Sequence, residues 1–199
     1  MPVKELQRQE IHRFTESELG SDNLTFDINK YYSVLNIECK KYETIDKYLE
    51  LITDYMSFLK EINKLLSLKR FGLRKIGSKI FPSYPSIFED FEKDKLNSIF
   101  DQTKYQKDKS DFLDVLSTID NIYKFNYRRS IEKGYLKISN EEEKIGFRVI
   151  LDIDGFVEEK VLNEITIDKK SLIETLNNVY LFHLFKTSVT ENFLKNNMK

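Results

Sequence analysis

At 199 residues, 40% hydrophobic and carrying 15 Phe and 11 Tyr, the chain holds enough apolar material for a packed interior, which excludes global disorder. Its 32 basic and 33 acidic side chains leave a net charge of −1, so no global field draws in nucleic acid, and nucleic acid is not an expected partner. Cys39 stands alone, which rules out an internal disulfide and suits a reducing compartment; the charged N-terminal stretch is no signal peptide, and no apolar run approaches the roughly 20 residues that span a bilayer, so a cytoplasmic protein without membrane association is expected.

In chain order, a β-prone run from Glu10 to Thr15 and an alternating run from Leu24 to Ile28 predict two strands around a turn at Gly20-Ser21-Asp22-Asn23. Tyr32 to Cys39 predicts a third, with Leu35, Ile37 and Cys39 on one face. Thr44 is an N-cap candidate for a helix reaching about Leu66, because Ile45, Tyr48, Leu49, Ile52, Met56, Leu59 and Ile62 follow the helical period. A strand from Arg70 to Ile76 comes next. Residues 82–111 break the rhythm with Pro82, Pro85 and a Lys- and Asp-rich stretch from Lys93, and are expected to form a connector with one or two short helices. Strands resume at Val115–Ile119 and Tyr123–Ile131, followed by a turn at Lys133-Gly134 and a strand at Tyr135–Ser139. Ile145 to Ile153 alternates, with Phe147, Val149 and Leu151 inward and Arg148, Ile150 and Asp152 outward. A last long helix over 168–186 has Leu172, Leu176, Val179 and His183 on one stripe, and 189–198 extends it or adds a short helix.

The stretch Leu68-Lys69-Arg70-Phe71-Gly72-Leu73-Arg74-Lys75-Ile76 carries the sharpest signal. On a strand, Arg70, Gly72 and Arg74 point one way while Phe71 and Leu73 point the other. The result is a cationic strip with a gap at its centre. Only seven arginines stand beside twenty-five lysines, and five of them (Arg70, Arg74, Arg128, Arg129 and Arg148) fall on predicted strands. Arginine there points to its planar, bidentate fork. Two uses are open. Arg70, Gly72, Arg74 and Arg148 could bind a phosphate or carboxylate ligand; alternatively the arginines could pair across strands with Glu38 or Asp152 and hold the sheet face together.

These residues also resemble the mark of a sporadically distributed family of uncharacterised prokaryotic proteins, an R-x-G-L-R-Y-I-N-like strand. Here it reads Arg70-Phe71-Gly72-Leu73-Arg74-Lys75-Ile76-Gly77, with Lys75 and Gly77 at the Tyr and Asn positions. Leu24 to Tyr42, and Leu151-Asp152-Ile153-Asp154 with the C-terminal helix, fit the same likeness. The resemblance implies no activity; the family's patchy distribution points towards mobile or phage-defence genes.

Other chemistry is sparse. Asp152 and Asp154 form a D-x-D that could hold Mg²⁺ or Mn²⁺, yet no third ligand is identifiable by spacing and Gly155 makes the motif ordinary turn chemistry. His12 and His183 are isolated, Cys39 reads as a small buried hydrophobe, and Tyr31, Tyr32 and Tyr42 could form a patch for a partner. Lys104–Lys109 reads as solvated surface. No phosphate loop, zinc spacing or nucleophile elbow occurs, and no cofactor is expected.

The expected fold is α+β: antiparallel sheets with the helices at 45–66 and 168–186 packed on one face. A single domain is expected, divisible into sub-lobes 1–81 and 112–199 joined by an 82–111 connector. A shared Thr-Ile-Asp-Lys at Thr44 and Thr166 raises the idea of two related strand–strand–helix lobes, against coincidence in an Ile- and Lys-rich chain. The expected function is a non-enzymatic binding or assembly module with a protein partner or a homo-oligomeric state. The rival is an enzyme or sensor that grips a phosphorylated ligand or nucleotide on the arginine-bearing face.

Overall fold

The computed structural model describes residues 12–19, 22–28, 32–38, 46–62, 69–92, 94–96, 104, 106–136, 144–164 and 169–197. The chain divides into two compact units, residues 1–44 and 45–199. In the first, β1 (His12–Leu19), β2 (Asp22–Ile28) and β3 (Ser33–Glu38) form an antiparallel meander in that order. Its register places Phe14 opposite Phe26 and Phe26 opposite Leu35. The alternation read from sequence holds along β3, where Leu35 and Ile37 are half-buried and Val34, Asn36 and Glu38 are exposed. Tyr32 is exposed; Cys39, Tyr31, Tyr42 and the Gly20-Ser21 part of the expected turn lie outside the described residues, and so does the His12 side chain, while Asp22 and Asn23 of that turn belong to β2.

The second unit is built on a four-stranded antiparallel sheet in the order β4-β7-β6-β5, comprising β4 (Arg70–Phe81), β5 (Lys109–Ser117), β6 (Lys124–Leu136) and β7 (Lys144–Glu158). Its inner face carries Phe81 on β4, Phe125, Tyr127 and Ile131 on β6, and Phe147, Val149, Leu151, Ile153 and Val157 on β7, all buried. Ile131, Val149 and Val157 are fully sequestered. Each such side chain contributes roughly 1.5–3 kcal/mol of transfer free energy.

Two expectations fail along the sheet. No turn forms at Lys133-Gly134: β6 runs through it, with Gly134 paired opposite Gly146. Ladder pairing on both sides of the glycine overrides its preference for turns. Nor does a lobe boundary fall at 82–111, because β4, before that segment, pairs along its whole length with β7, after it. β5 also begins at Lys109, six residues earlier than its apolar run predicts.

The helices lie on the inner face. α2 (Ile87–Asp90) and a 3₁₀ turn at Asp94–Leu96 supply the buried Ile87 and Leu96. α3 (Glu159–Glu164) follows β7 directly. The second predicted long helix is interrupted: α4 (Lys169–Glu174) passes into seven residues of π-helix at Thr175–Leu181, then into α5 (Phe182–Lys186). That changes the buried stripe. Leu172, Leu176 and Leu181 are buried, while Val179 and His183 are exposed, since the wider π turn advances the inward position from 176 to 181. Gly155 makes room beneath it, because a Cβ there would lie 2.9 Å from side-chain carbons of both Leu176 and Leu181. α6 (Glu191–Asn197) is tied to α2 by the Thr190 amide, which donates to the Asp90 carbonyl at 2.7 Å.

α1 (Asp46–Ile62) does not complete an N-terminal lobe: it belongs to the second unit and packs against α4, with Tyr48 and Leu49 buried. The fold is α+β with antiparallel sheets, as the strand and helix patterns predict, although only one of the two long helices is continuous.

The arginine-bearing face as candidate functional site

The face opposite the helices is assembled from alternate residues of all four strands. β4 contributes Arg70, Gly72, Arg74, Ile76, Ser78 and Ile80. β7 contributes Arg148, Ile150, Asp152, Asp154, Phe156 and Glu158. Arg128 on β6 shares it, whereas its neighbour Arg129 turns inward, 5% exposed, to pair with Asp114 over the Tyr127 ring. Strand alternation separates these adjacent arginines onto opposite faces.

Register alone would put Arg74 against Asp154. Its guanidinium instead reaches diagonally and grips Asp152 with Nε at 2.7 Å and Nη2 at 2.5 Å. This bidentate bond holds the Arg74 pKa above the ordinary arginine value. Asp154 is then left to accept from Arg70 at 2.6 Å and from the Asn126 amide at 3.1 Å. Arg70 sits opposite Glu158, so to reach Asp154 it lies across the Phe156 ring, with its guanidinium carbon 3.8 Å from the ring centroid. Such stacking is favourable for the planar cation.

Gly72 is paired with Phe156, and a Cβ at Gly72 would stand 2.9 Å from the Gly155 carbonyl oxygen and 3.0 Å from the Phe156 Cβ. The gap foreseen in the cationic strip is therefore filled by the chain's own aromatic ring. Glycine is needed there for close strand packing.

Further across the sheet, Arg128 grips Asp111 in the same two-pronged manner, with Nε at 2.8 Å and Nη2 at 2.5 Å. The bond raises the Arg128 pKa and holds the Asp111 carboxyl below its ordinary range. Asp152 lies opposite Arg128 on the neighbouring strand and attracts it through space. Charges thus alternate in a row, Arg74, Asp152, Arg128, Asp111, one from each strand. Arg148 to Glu132 at 3.0 Å and Lys124 to Glu158 at 2.6 Å extend the pattern to the two ends.

Between the ion pairs two β4 isoleucines stand exposed, on either side of Ser78. Ile76 is 62% exposed and Ile80 44%. The chemistry available is that of a flat surface with fixed, mutually neutralised charges and bare aliphatic side chains. Asp152 and Asp154 are engaged by cations of the same sheet, and among the described residues no group of three metal-ligating side chains converges. His183 lies elsewhere, lining a small cleft of about 190 Å³ with Leu116, Phe125, Tyr180 and Leu184.

Sequence reasoning placed Arg70, Gly72, Arg74 and Arg148 on one face and named Asp152 as an arginine partner, while reading Asp152 and Asp154 apart from them as a metal-binding pair. It missed Asp111, Asp114 and Phe156. The alternation of Asp111, Leu113 and Val115 against Phe112, Asp114 and Leu116 is a strand signal, but the lysines before it masked the strand's start. Lys107 is itself half-buried over the Phe112 ring, and burial lowers its pKa, contrary to a purely solvated stretch. Comparison with family models, curated proteins and solved structures finds no match to the chain.

Proposed function

We propose that the protein is a non-enzymatic binding and assembly module, and that the helix-free face of its four-stranded sheet is the surface a protein partner covers. One observation carries this reading: the guanidiniums of Arg70, Arg74, Arg128 and Arg148 are held by carboxylates of the same face, while Ile76 and Ile80 stand bare between them. A phosphate ligand would have to displace Asp152 from both nitrogens of Arg74 before it could be gripped. A protein surface needs no such exchange. It gains from covering the isoleucines, and the fixed ion pairs supply a charge pattern to match. The lone Cys39 suits a cytoplasmic setting, and the resemblance carried by Arg70–Gly77 adds an association with mobile or defence-linked prokaryotic genes.

Native mass spectrometry of the tagged protein purified gently from its own host tests the proposal. A defined partner or oligomer whose retention is lost on Ile76→Lys supports the face. A monomer carrying only a small anion, released by Arg74→Ala without loss of thermal stability, overturns it in favour of a ligand site at Arg70, Arg74 and Arg148.

A further inference from the structure

The sheet has two outer edges, and they are unequal. β4 carries Arg70, Arg74, Lys75 and Lys79 along its twelve residues. Cations of this kind guard an edge against pairing with other chains, and on β4 Arg70, Arg74 and Lys79 are held in place by Asp154, Asp152 and Asp90. β5 has Lys109 at its start and then no lysine, arginine or proline through Ser117. Its two acids are neutralised from within, Asp111 by Arg128 and Asp114 by Arg129. Leu113 is 59% and Val115 72% exposed.

The backbone of β5 also has a definite polarity. Just outside the strand, the Lys133 amide donates to the Asp108 carbonyl at 2.8 Å, and the Thr118 amide donates to the Tyr123 carbonyl at 2.9 Å. Both bonds fall on even-numbered positions of this segment. In an antiparallel ladder, bonded and non-bonded positions alternate. The odd positions Lys109, Asp111, Leu113, Val115 and Ser117 therefore aim their amides and carbonyls away from β6, towards the outer edge.

We infer that this edge pairs with the same edge of a second copy, antiparallel and two-fold symmetric about Leu113, so that two four-stranded sheets join into one. The inference deepens the assembly reading and rests on it for the class of partner. Leu113 is the centre of the nine-residue strand. About that point, outward positions meet outward positions, as two-fold pairing requires. Leu113 faces its own copy, Asp111 faces Val115, Lys109 faces Ser117, and Asp114 faces Phe112. No like charges stand opposite each other. Centring one residue later would set Asp114 against Asp114, a repulsive pair. Paired about Leu113, each copy covers the exposed Leu113 and Val115 of the other.

The test uses the full chain in solution. Light scattering behind size exclusion should give a dimer that dissociates on dilution, and Leu113→Lys or Val115→Lys should give a monomer at all concentrations with a melting temperature close to that of the parent monomer. In a Cys39→Ser background, Leu113→Cys should form an intermolecular disulfide under mild oxidation. The expected Cα separation of about 5.5 Å in a bonded antiparallel pair lies within disulfide reach. Ile76→Cys, on the open face, should not crosslink.

A chain that is monomeric up to about 100-fold above ordinary assay concentration, or a dimer that survives Leu113→Lys, overturns the inference. Such a result leaves the assembly reading standing where Ile76→Lys alone abolishes capture of a defined partner. Loss of both self-association and Ile76-dependent capture removes the assembly reading as well.

Discussion

On the helix side of the four-stranded sheet, Ile131, Val149 and Val157 are wholly removed from water, while on the other side the same strands carry Glu132, Arg148 and Glu158 in ion pairs. Neighbouring residues of one strand thus serve two different physical ends. Apolar burial carries no charge for mild acid to titrate and supplies the bulk of the stability. Partly solvated ion pairs add little net energy but fix where side chains point. A face held this way keeps its shape through its own contacts. The comparison can be broken by substitutions on either side.

The largest effect belongs to the inner face. Ile131→Ala should cost about 2–5 kcal/mol in urea denaturation, through lost transfer energy and an incompletely collapsed cavity. Ile76→Ala, with the side chain already in water, should stay within about 0.5 kcal/mol. Equal losses at the two positions would mean that the outer face is covered within the monomer.

Next comes the best-held ion pair. Asp152 is 9% exposed and Arg74 is its bidentate partner, so Arg74→Ala should destabilise by about 1–3 kcal/mol, towards the low end because the Arg74 side chain stays more than half in water. A double-mutant cycle with Asp152→Asn should show coupling, since both single changes remove the same bonds. Stability unchanged by Arg74→Ala would favour the ligand reading of this arginine.

Much of this architecture is legible in sequence, because strand alternation is a local property. Arg70, Gly72 and Arg74 opposite Phe71 and Leu73, and Phe147, Val149 and Leu151 opposite Arg148 and Asp152, follow from a period of two. The partners of the arginines are less so. Arg74 takes Asp152 over its register partner Asp154, and Arg70 reaches Asp154 over Phe156, because long side chains choose diagonals that alternation does not specify. The π segment was illegible for a related reason: its extra residue per turn shifts the stripe from Val179 and His183 to Leu181 with no compositional mark.

The two faces should also fail at opposite ends of the pH scale. Burial pushes the Tyr127 phenol up, in spite of its hydrogen bond with the Ser188 hydroxyl. A folded-state pKa above the unfolded value means that its contribution is complete below about pH 10 and is lost as pH rises through the folded value. Tyr127→Phe should therefore flatten the alkaline limb of the stability curve, and in the parent some tyrosinate absorbance should appear only with unfolding. An identical alkaline limb in the variant would show that this phenol reaches water in the native state.

The smallest effect belongs to Arg128 and Asp111, which make the same bidentate bond as Arg74 and Asp152 but through a carboxylate side chain that is 42% exposed, against 12% for Asp152. The Asp111 carboxyl is held low by Arg128. Its contribution is therefore present above the unfolded carboxylate pKa and is lost as pH falls through the folded value. Screening acts most strongly on exposed charges, so molar salt should abolish the coupling between Asp111→Asn and Arg128→Ala while leaving most of that between Asp152→Asn and Arg74→Ala. A second copy seated on β5 would bring Asp111 towards the interior of the joined sheet. The Arg128–Asp111 coupling should then resist salt at dimer-forming concentrations and become salt-sensitive on dilution, so one cycle measured at two protein concentrations separates a solvated edge from a paired one.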